Sequence, residues 1–191
     1  MIRTAIQGID LVFKTSEGVF SSRSVDQGTL AMLGKVEFEA TDKILDLGCG
    51  YGVVGILAAK IIGPAQVVMA DNDPEAIRLS RENAVLNHVP DIDTCLSNGF
   101  NDITQTDFTK ILVNPPFHVD FSVPKQFIHK GFNRLLIGGQ FYVVTKREKW
   151  YRNKLTSIFG GVTVWPVDEY FVFMAIKKRA SFSNARKSKK S

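Results

Sequence analysis

The sequence predicts an α/β fold: a seven-stranded, mostly parallel sheet with helices on both faces, an antiparallel last strand, and a small N-terminal hairpin and helix. Three observations carry this expectation. Short apolar runs alternate with helical segments from residue 43 onward, the pattern of right-handed crossovers between parallel strands. The first run enters a glycine-rich turn, KILDLGCGYGVVG at residues 43–55. The last two runs, 163–167 and 170–176, are separated only by Asp168 and Glu169. Two residues make a hairpin but not a crossover, so the final strand must run antiparallel.

In order, residues 9–14 and 18–20 are expected to form the N-terminal hairpin across 15–17, and a helix over 26–37 to cover the pocket. Strand 43–47 leads to helix 53–62, and strand 66–70 to a helix over 74–87 opened by Asp73 and Pro74. Strands at 91–96 and 111–113 come next, then a helix over 124–136, a strand over 139–145, a helix over 150–159 and the closing hairpin.

The chain has 191 residues, 45% of them hydrophobic, which suits one domain around one core. That domain is expected over 1–178, with 179–191 a basic, disordered tail. The net charge of +5 is concentrated: seven of the 24 basic residues lie from Lys177 to Lys190 among no acids, leaving 17 against 19 acidic ones elsewhere. The tail reads either as a salt-sensitive grip on phosphates or as a solvated end. The charge-free stretch 47–59 is too short to span a bilayer, and the first ten residues hold no signal-peptide core, so a cytoplasmic protein is expected. Cys49 and Cys95 are too few for a disulfide framework, and no metal site is expected.

The glycine segment reads as a nucleotide-type pocket, because glycines let backbone amides approach a ligand and the following helix starts with unpaired N–H groups. Gly50, Gly52 and Gly55 also satisfy G-x-G-x-x-G, a spacing that does not by itself choose a cofactor. Two details favour S-adenosylmethionine over a nicotinamide. The strand ends in Asp46 ahead of Gly48 and Gly50, which places a carboxylate where an ammonium group can sit. The next strand ends in Asp71, about 20 residues beyond the glycines, where a carboxylate can accept ribose hydroxyls.

The third motif is ILVNPPF at residues 111–117. Proline lacks an N–H and pushes the preceding residue out of helical geometry. A turn of Asn114, Pro115, Pro116 and Phe117 therefore presents oxygen acceptors without competing donors. The Asn114 oxygen and a neighbouring carbonyl can take both hydrogens of a planar NH2 group, leaving its lone pair free to attack, with Phe117 against a flat base. Alone, the tetrapeptide also suits a plain strand-ending turn.

DLGCGYG, ADNDPEA and NPPFH together resemble a class I S-adenosylmethionine-dependent methyltransferase with a Rossmann-like sheet, and NPPF resembles the signature of those that modify exocyclic or amide nitrogens. The resemblance covers the chain to about residue 178. GVFSSRSVDQGTLAML (18–33), NPPFH (114–118) and VVTKREKWYRNKLTSIFG (143–160) are similar to the catalytic domain of the small-subunit ribosomal RNA guanine-N2 methyltransferases and their short stand-alone relatives. It implies methyl transfer from S-adenosylmethionine to guanine N2 of ribosomal RNA by a monomer or homodimer. The alternatives are a protein glutamine N5 methyltransferase, or a cofactor-binding subunit that needs a partner for substrate. Larger members carry a degenerate second copy of the fold ahead of this domain, and none is expected here. After NPPFH the family usually has a small residue or glycine within two positions, where this chain has Val119, Asp120 and Phe121.

The resemblance further implies a cofactor contact for Asn98, at the family's adenine-contacting position, although Asn98-Gly99 also suits an ordinary turn. Asn72 can touch adenine or simply precede the helix start. His118 either orients substrate or closes the turn. Lys146, Arg147 and Lys149 are placed to meet RNA phosphates or solvent, and Trp150 and Tyr151 to stack on a base or to fill the core.

Overall fold

The structure is a computed structural model and describes residues 1–18, 21, 23–116 and 120–182. Its centre is a seven-stranded sheet in the order β5-β4-β3-β6-β7-β9-β8, formed by β3 (Ile44–Leu47), β4 (Val67–Asp71), β5 (Asp93–Leu96), β6 (Phe108–Val113), β7 (Leu135–Thr145), β8 (Thr163–Val167) and β9 (Tyr170–Ile176). The first five pair in parallel, and β9 runs antiparallel to both β7 and β8. The closing hairpin has the expected limits, turning through Asp168 with a φ of 50°.

Strand periodicity sends alternate residues to opposite faces. Ile44, Met69 and Leu112 point into one apolar layer, which is covered by the N-terminal hairpin, α1 (Gln27–Leu33), α2 (Val53–Ile62) and α3 (Pro74–Leu86). Leu45, Val68 and Ile111 point into the other, beneath α4 (Ser122–Arg134) and α5 (Glu148–Phe159). Helices thus lie on both faces. Past β9, the Phe182 ring packs edge-on against Phe132 with centroids 5.3 Å apart. The remainder of the basic tail, 183–191, lies outside the described residues.

The hairpin expected over 9–14 and 18–20 is corrected. Its strands are β1 (Ile2–Ile6) and β2 (Ile9–Phe13), paired antiparallel from Ile2 opposite Phe13 to Ile6 opposite Ile9. Gln7 and Gly8 turn it with φ of 50° and 76°, the two positive values that a tight hairpin of native twist requires. Residues 19 and 20 lie outside the described residues. The first helix also stops early, because Gly34 caps α1 at its C-terminus.

β6 begins earlier than its apolar run. Lys110 inside it is buried with its ammonium 2.6 Å from both oxygens of Asp42, an arrangement that lets a charged residue occupy a sheet interior. On β7, Leu135 rather than Gly139 opens the strand, and a register shift beside Phe108 accommodates the extra residues.

Candidate active site

The parallel strands deliver their carboxyl ends to one edge of the sheet, where ligands bind in open α/β folds. Leu47 lies opposite both Ala70 and Val113, so the turns after β3, β4 and β6 begin side by side. They enclose a cavity of about 400 Å³. Asp46, Gly48, Gly50, Asp71, Asn72, Asn98, Asn114, Pro115 and Pro116 all line it. The fold therefore brings together every described residue of the expected site. Phe117 and His118 lie outside the described residues.

The glycine turn is held from β4. The Gly48 and Cys49 amides donate to the Ala70 carbonyl at 2.8 and 3.0 Å, and the Gly50 amide donates to Asp71 Oδ2 at 2.8 Å. Gly52 opens α2 with a φ of 100°, a conformation suited to glycine. At Gly55 the constraint is space: a Cβ would lie 2.4 Å from Met69 Cγ. The Gly55 amide donates to Asp46 Oδ2 at 2.8 Å, tying the end of β3 to the start of α2.

Asp46 is 4% exposed. Burial pushes its carboxyl up to about 7 against the opposing Gly55 hydrogen bond, and the nearby Asp71 charge adds to the rise. A buried acid with a raised pKa gains from a cationic partner. Asp71 accepts from Gly50 and, through Oδ1, from the Asp73 amide at 3.0 Å. Asp73 in turn caps α3 by accepting from Glu75 N at 2.9 Å, with Pro74 in the first turn. Asn72 is exposed at the cavity wall.

Asn98 is likewise exposed on the wall, and Gly99 turns with a φ of 58°. The turn and a place beside a ligand are therefore compatible readings of Asn98. Ser97, not among the expected site residues, is buried beside it. Its hydroxyl donates to the Gly99 carbonyl at 2.8 Å and accepts from the Asp102 amide at 3.1 Å. Nothing in the sequence singles out that serine.

At the mouth of β6, Asn114 Nδ2 donates to Asp26 Oδ2 at 2.8 Å and to Thr29 Oγ1 at 2.9 Å. Its Oδ1 is buried and has no hydrogen-bond partner among the described residues. One side of the amide is thus saturated, and the other is a free acceptor sheltered from water. Asp26 and Thr29 were not among the expected site residues. The segment DQGT is legible as a helix start, but its meeting with the Asn-Pro-Pro turn is a tertiary contact.

Cys49 is buried, and burial raises its thiol well above the usual range, so it packs as a small apolar side chain. Beyond β7, Lys146 pairs with Glu169 at 2.8 Å, and the Arg147 guanidinium sits 4.9 Å over the exposed Phe121 ring. Phe121 stacks on Trp150 at 4.5 Å. Lys149 is exposed, whereas Tyr151 is buried, and burial pushes its phenol up to about 12. Tyr151 belongs to the core. Among the described residues, no cluster of three or more His, Cys, Asp or Glu is placed to hold a metal, and no helix is long and apolar enough to cross a membrane.

The profile of the methyltransferase small domain family matches residues 10–175. The ribosomal RNA large subunit methyltransferase G of Alteromonas mediterranea is 33% identical over 184 residues, an alignment spanning 90% of this chain and 45% of that one. Among solved structures, the 16S rRNA N2 G1207 methyltransferase of T. thermophilus, in complex with AdoMet and guanosine, superposes with a TM-score of 0.78 at 27% identity, over 93% of this chain and 50% of that one. A methyltransferase from Pyrococcus furiosus, at 16% identity and a TM-score of 0.72 over 88% of this chain and 90% of its own, shares the fold. The chain spans about half the length of the first two relatives.

Proposed function

The chain belongs to the methyltransferase small domain family, and from that membership we propose that it transfers a methyl group from S-adenosylmethionine to an exocyclic amine, guanine N2 of ribosomal RNA. The single observation that carries this reading is the Asn114 amide: both its hydrogens are taken by Asp26 and Thr29, and its buried Oδ1 is left as an acceptor. A buried acceptor without a donor costs about 1–3 kcal/mol. An incoming NH2 group offsets that cost.

The cavity suits the cofactor. Asp46 offers a buried carboxylate for the methionine ammonium, Asp71 retains acceptor capacity for ribose hydroxyls, and Asn72 and Asn98 flank the wall where the adenine would lie. S-adenosylmethionine supplies an electrophilic methyl group on a sulfonium. The chain's own contribution is positional. Asn114 Oδ1 takes one amine hydrogen, and the prolines after it withhold competing donors, so the nitrogen lone pair stays directed at its target. Positioning of this kind supplies up to about 7–11 kcal/mol of barrier reduction. The amine sheds its proton only after gaining the methyl group, when it is strongly acidic, so water suffices and His118 is not needed as a base.

The substrate assignment is supported by the relative that modifies large-subunit ribosomal RNA and by the structure captured with AdoMet and guanosine. Action in the cytoplasm, as a monomer or homodimer, is part of the same proposal. Incubation with labelled S-adenosylmethionine and, separately, total RNA and total protein from cells lacking this chain tests the reading. Label in RNA supports it. Label in protein alone replaces it with glutamine amide methylation, which the same acceptor can serve.

A further inference from the structure

Resting on the reading of Asn114 above, we propose that Asp26 is a positioning residue for methyl transfer: with Thr29 it locks the Asn114 amide into the one orientation that presents Oδ1 to the substrate amine. An asparagine amide has two faces of opposite polarity, and a half-turn of the side chain exchanges them. Here the exchange is blocked. Asp26 Oδ2 lies 2.8 Å and Thr29 Oγ1 2.9 Å from Nδ2, and a turned amide would set its oxygen against a carboxylate oxygen that has no hydrogen to give. Asp26 acts through Asn114 rather than on substrate.

The lock is built from α1, far from β6 in sequence. Asp26 Oδ2 also accepts from the Thr29 amide at 2.8 Å, so one oxygen caps α1 and anchors Asn114 together. The cap fixes the carboxylate, and the first turn of α1 sets Thr29 beside it. Gly28 leaves the room this requires: a Cβ there would fall 2.9 Å from Asp26 Oδ2 and 2.9 Å from Tyr170 Cε1. The Tyr170 ring is itself covered by the Lys146 ammonium, 5.0 Å from its centroid, and the small residue at 28 is part of the same device.

The cap and the lock separate experimentally. Asp26→Ser keeps a capping oxygen for the Thr29 amide, as serine caps helices well, but sets it one bond nearer the backbone and without the carboxylate charge, so the bond from Asn114 is expected to be lost. Asp26→Asn keeps an acceptor for both. The lock predicts that Asp26→Ser keeps its affinity for S-adenosylhomocysteine and loses no more stability than one hydrogen bond accounts for, while kcat for RNA methylation, measured well below the melting temperature, falls at least about tenfold at unchanged KM. Asp26→Asn should recover kcat to within about threefold, because its amide oxygen can still accept from Asn114 Nδ2. Full kcat in Asp26→Ser, or a kcat that returns to that of the unaltered protein when the assay is cooled further below the variant's melting temperature, overturns the inference. So does weakened cofactor binding with kcat retained, which would make Asp26 a cofactor ligand. Absence of RNA methylation by the unaltered protein instead defeats the functional reading beneath it.

Discussion

The Gly50 amide lies 2.8 Å from Asp71 Oδ2, so the carboxylate suited to the ribose of the cofactor is also the brace of the glycine turn. The proposed ligand contact and the loop geometry share one side chain. Asp71→Ala therefore damages both, leaving the Gly50 and Asp73 amides without their acceptor. Each lost hydrogen bond to a charged group corresponds to about 1.5–3 kcal/mol, and cofactor affinity should fall by about 10- to 100-fold. The melting temperature should fall with it, while Asp71→Asn, which keeps an acceptor oxygen, should lose less of each. Calorimetric titration and thermal denaturation check this, and an unchanged melting temperature in Asp71→Ala would show that the brace is idle.

The raised carboxyl of Asp46 is expected to make cofactor binding depend on pH. In the free protein burial raises its carboxyl to about 7 from an ordinary value of 3.8. Between those values the folded state holds a proton that the unfolded state lacks, so this residue's contribution to stability declines as pH rises through the window and is flat above it. Binding an ammonium group requires the ionised form. The cofactor dissociation constant should accordingly be about tenfold weaker at pH 6 than at pH 8. Asp46→Asn keeps an acceptor for the Gly55 amide, so it should raise the melting temperature of the free protein at pH 8 and remove most cofactor affinity. A dissociation constant independent of pH would show that Asp46 does not meet a cation.

Gly55 is required for packing. A Cβ at this position would meet Met69 Cγ at 2.4 Å and Sδ at 2.6 Å, and overpacking in such a core costs about 1–3 kcal/mol. Gly55→Ala should lose stability in that range by urea denaturation. Gly55→Ala combined with Met69→Ala should be less unstable than the sum of the two singles, because the shortened side chain vacates the contested space. If the double variant is as unstable as the sum of the singles, the clash is not the cause.

Lys110 lies inside β6 and Asp42 just ahead of β3. The pair is nearly dry, with Lys110 7% and Asp42 3% exposed, and Asp42 also accepts from Thr109 Oγ1 at 2.7 Å and Glu39 N at 2.8 Å. Lys110→Met leaves a buried carboxylate without its counter-ion, a change that costs about 3–5 kcal/mol. Chemical denaturation should show that loss, and kcat at a temperature where the variant is folded should stay within a fewfold of the unaltered protein. A neutral effect on stability would mean that water reaches Asp42.

These buried charges mark where sequence reading ran out. The apolar runs at Ile44 and Val67 and the two-residue turn at Asp168 were legible because period and length belong to the local chain. Lys110 broke the pattern of β6, since its partner lies 68 residues away and only the fold reveals it. The N-terminal hairpin was misplaced for a local reason: its turn uses Gln7 ahead of Gly8, and Gln is not a residue that announces a positive φ. The glycine turn and Asn-Pro-Pro were readable as separate motifs, and parallel pairing of β3 with β6 is what brings them together. Asp26 and Ser97 needed the fold, because short polar side chains that bond to turns look alike in sequence.

The measurement that bears most directly on the central claim is methyl transfer from labelled S-adenosylmethionine to ribosomal RNA from cells lacking this chain, followed by nucleoside analysis, for the unaltered protein beside Asn114→Ala. The account predicts N2-methylguanosine with the unaltered protein and at least about a 100-fold lower rate with Asn114→Ala, at nearly the same cofactor affinity. Label in RNA at a rate indifferent to Asn114, or label only in protein, would contradict it.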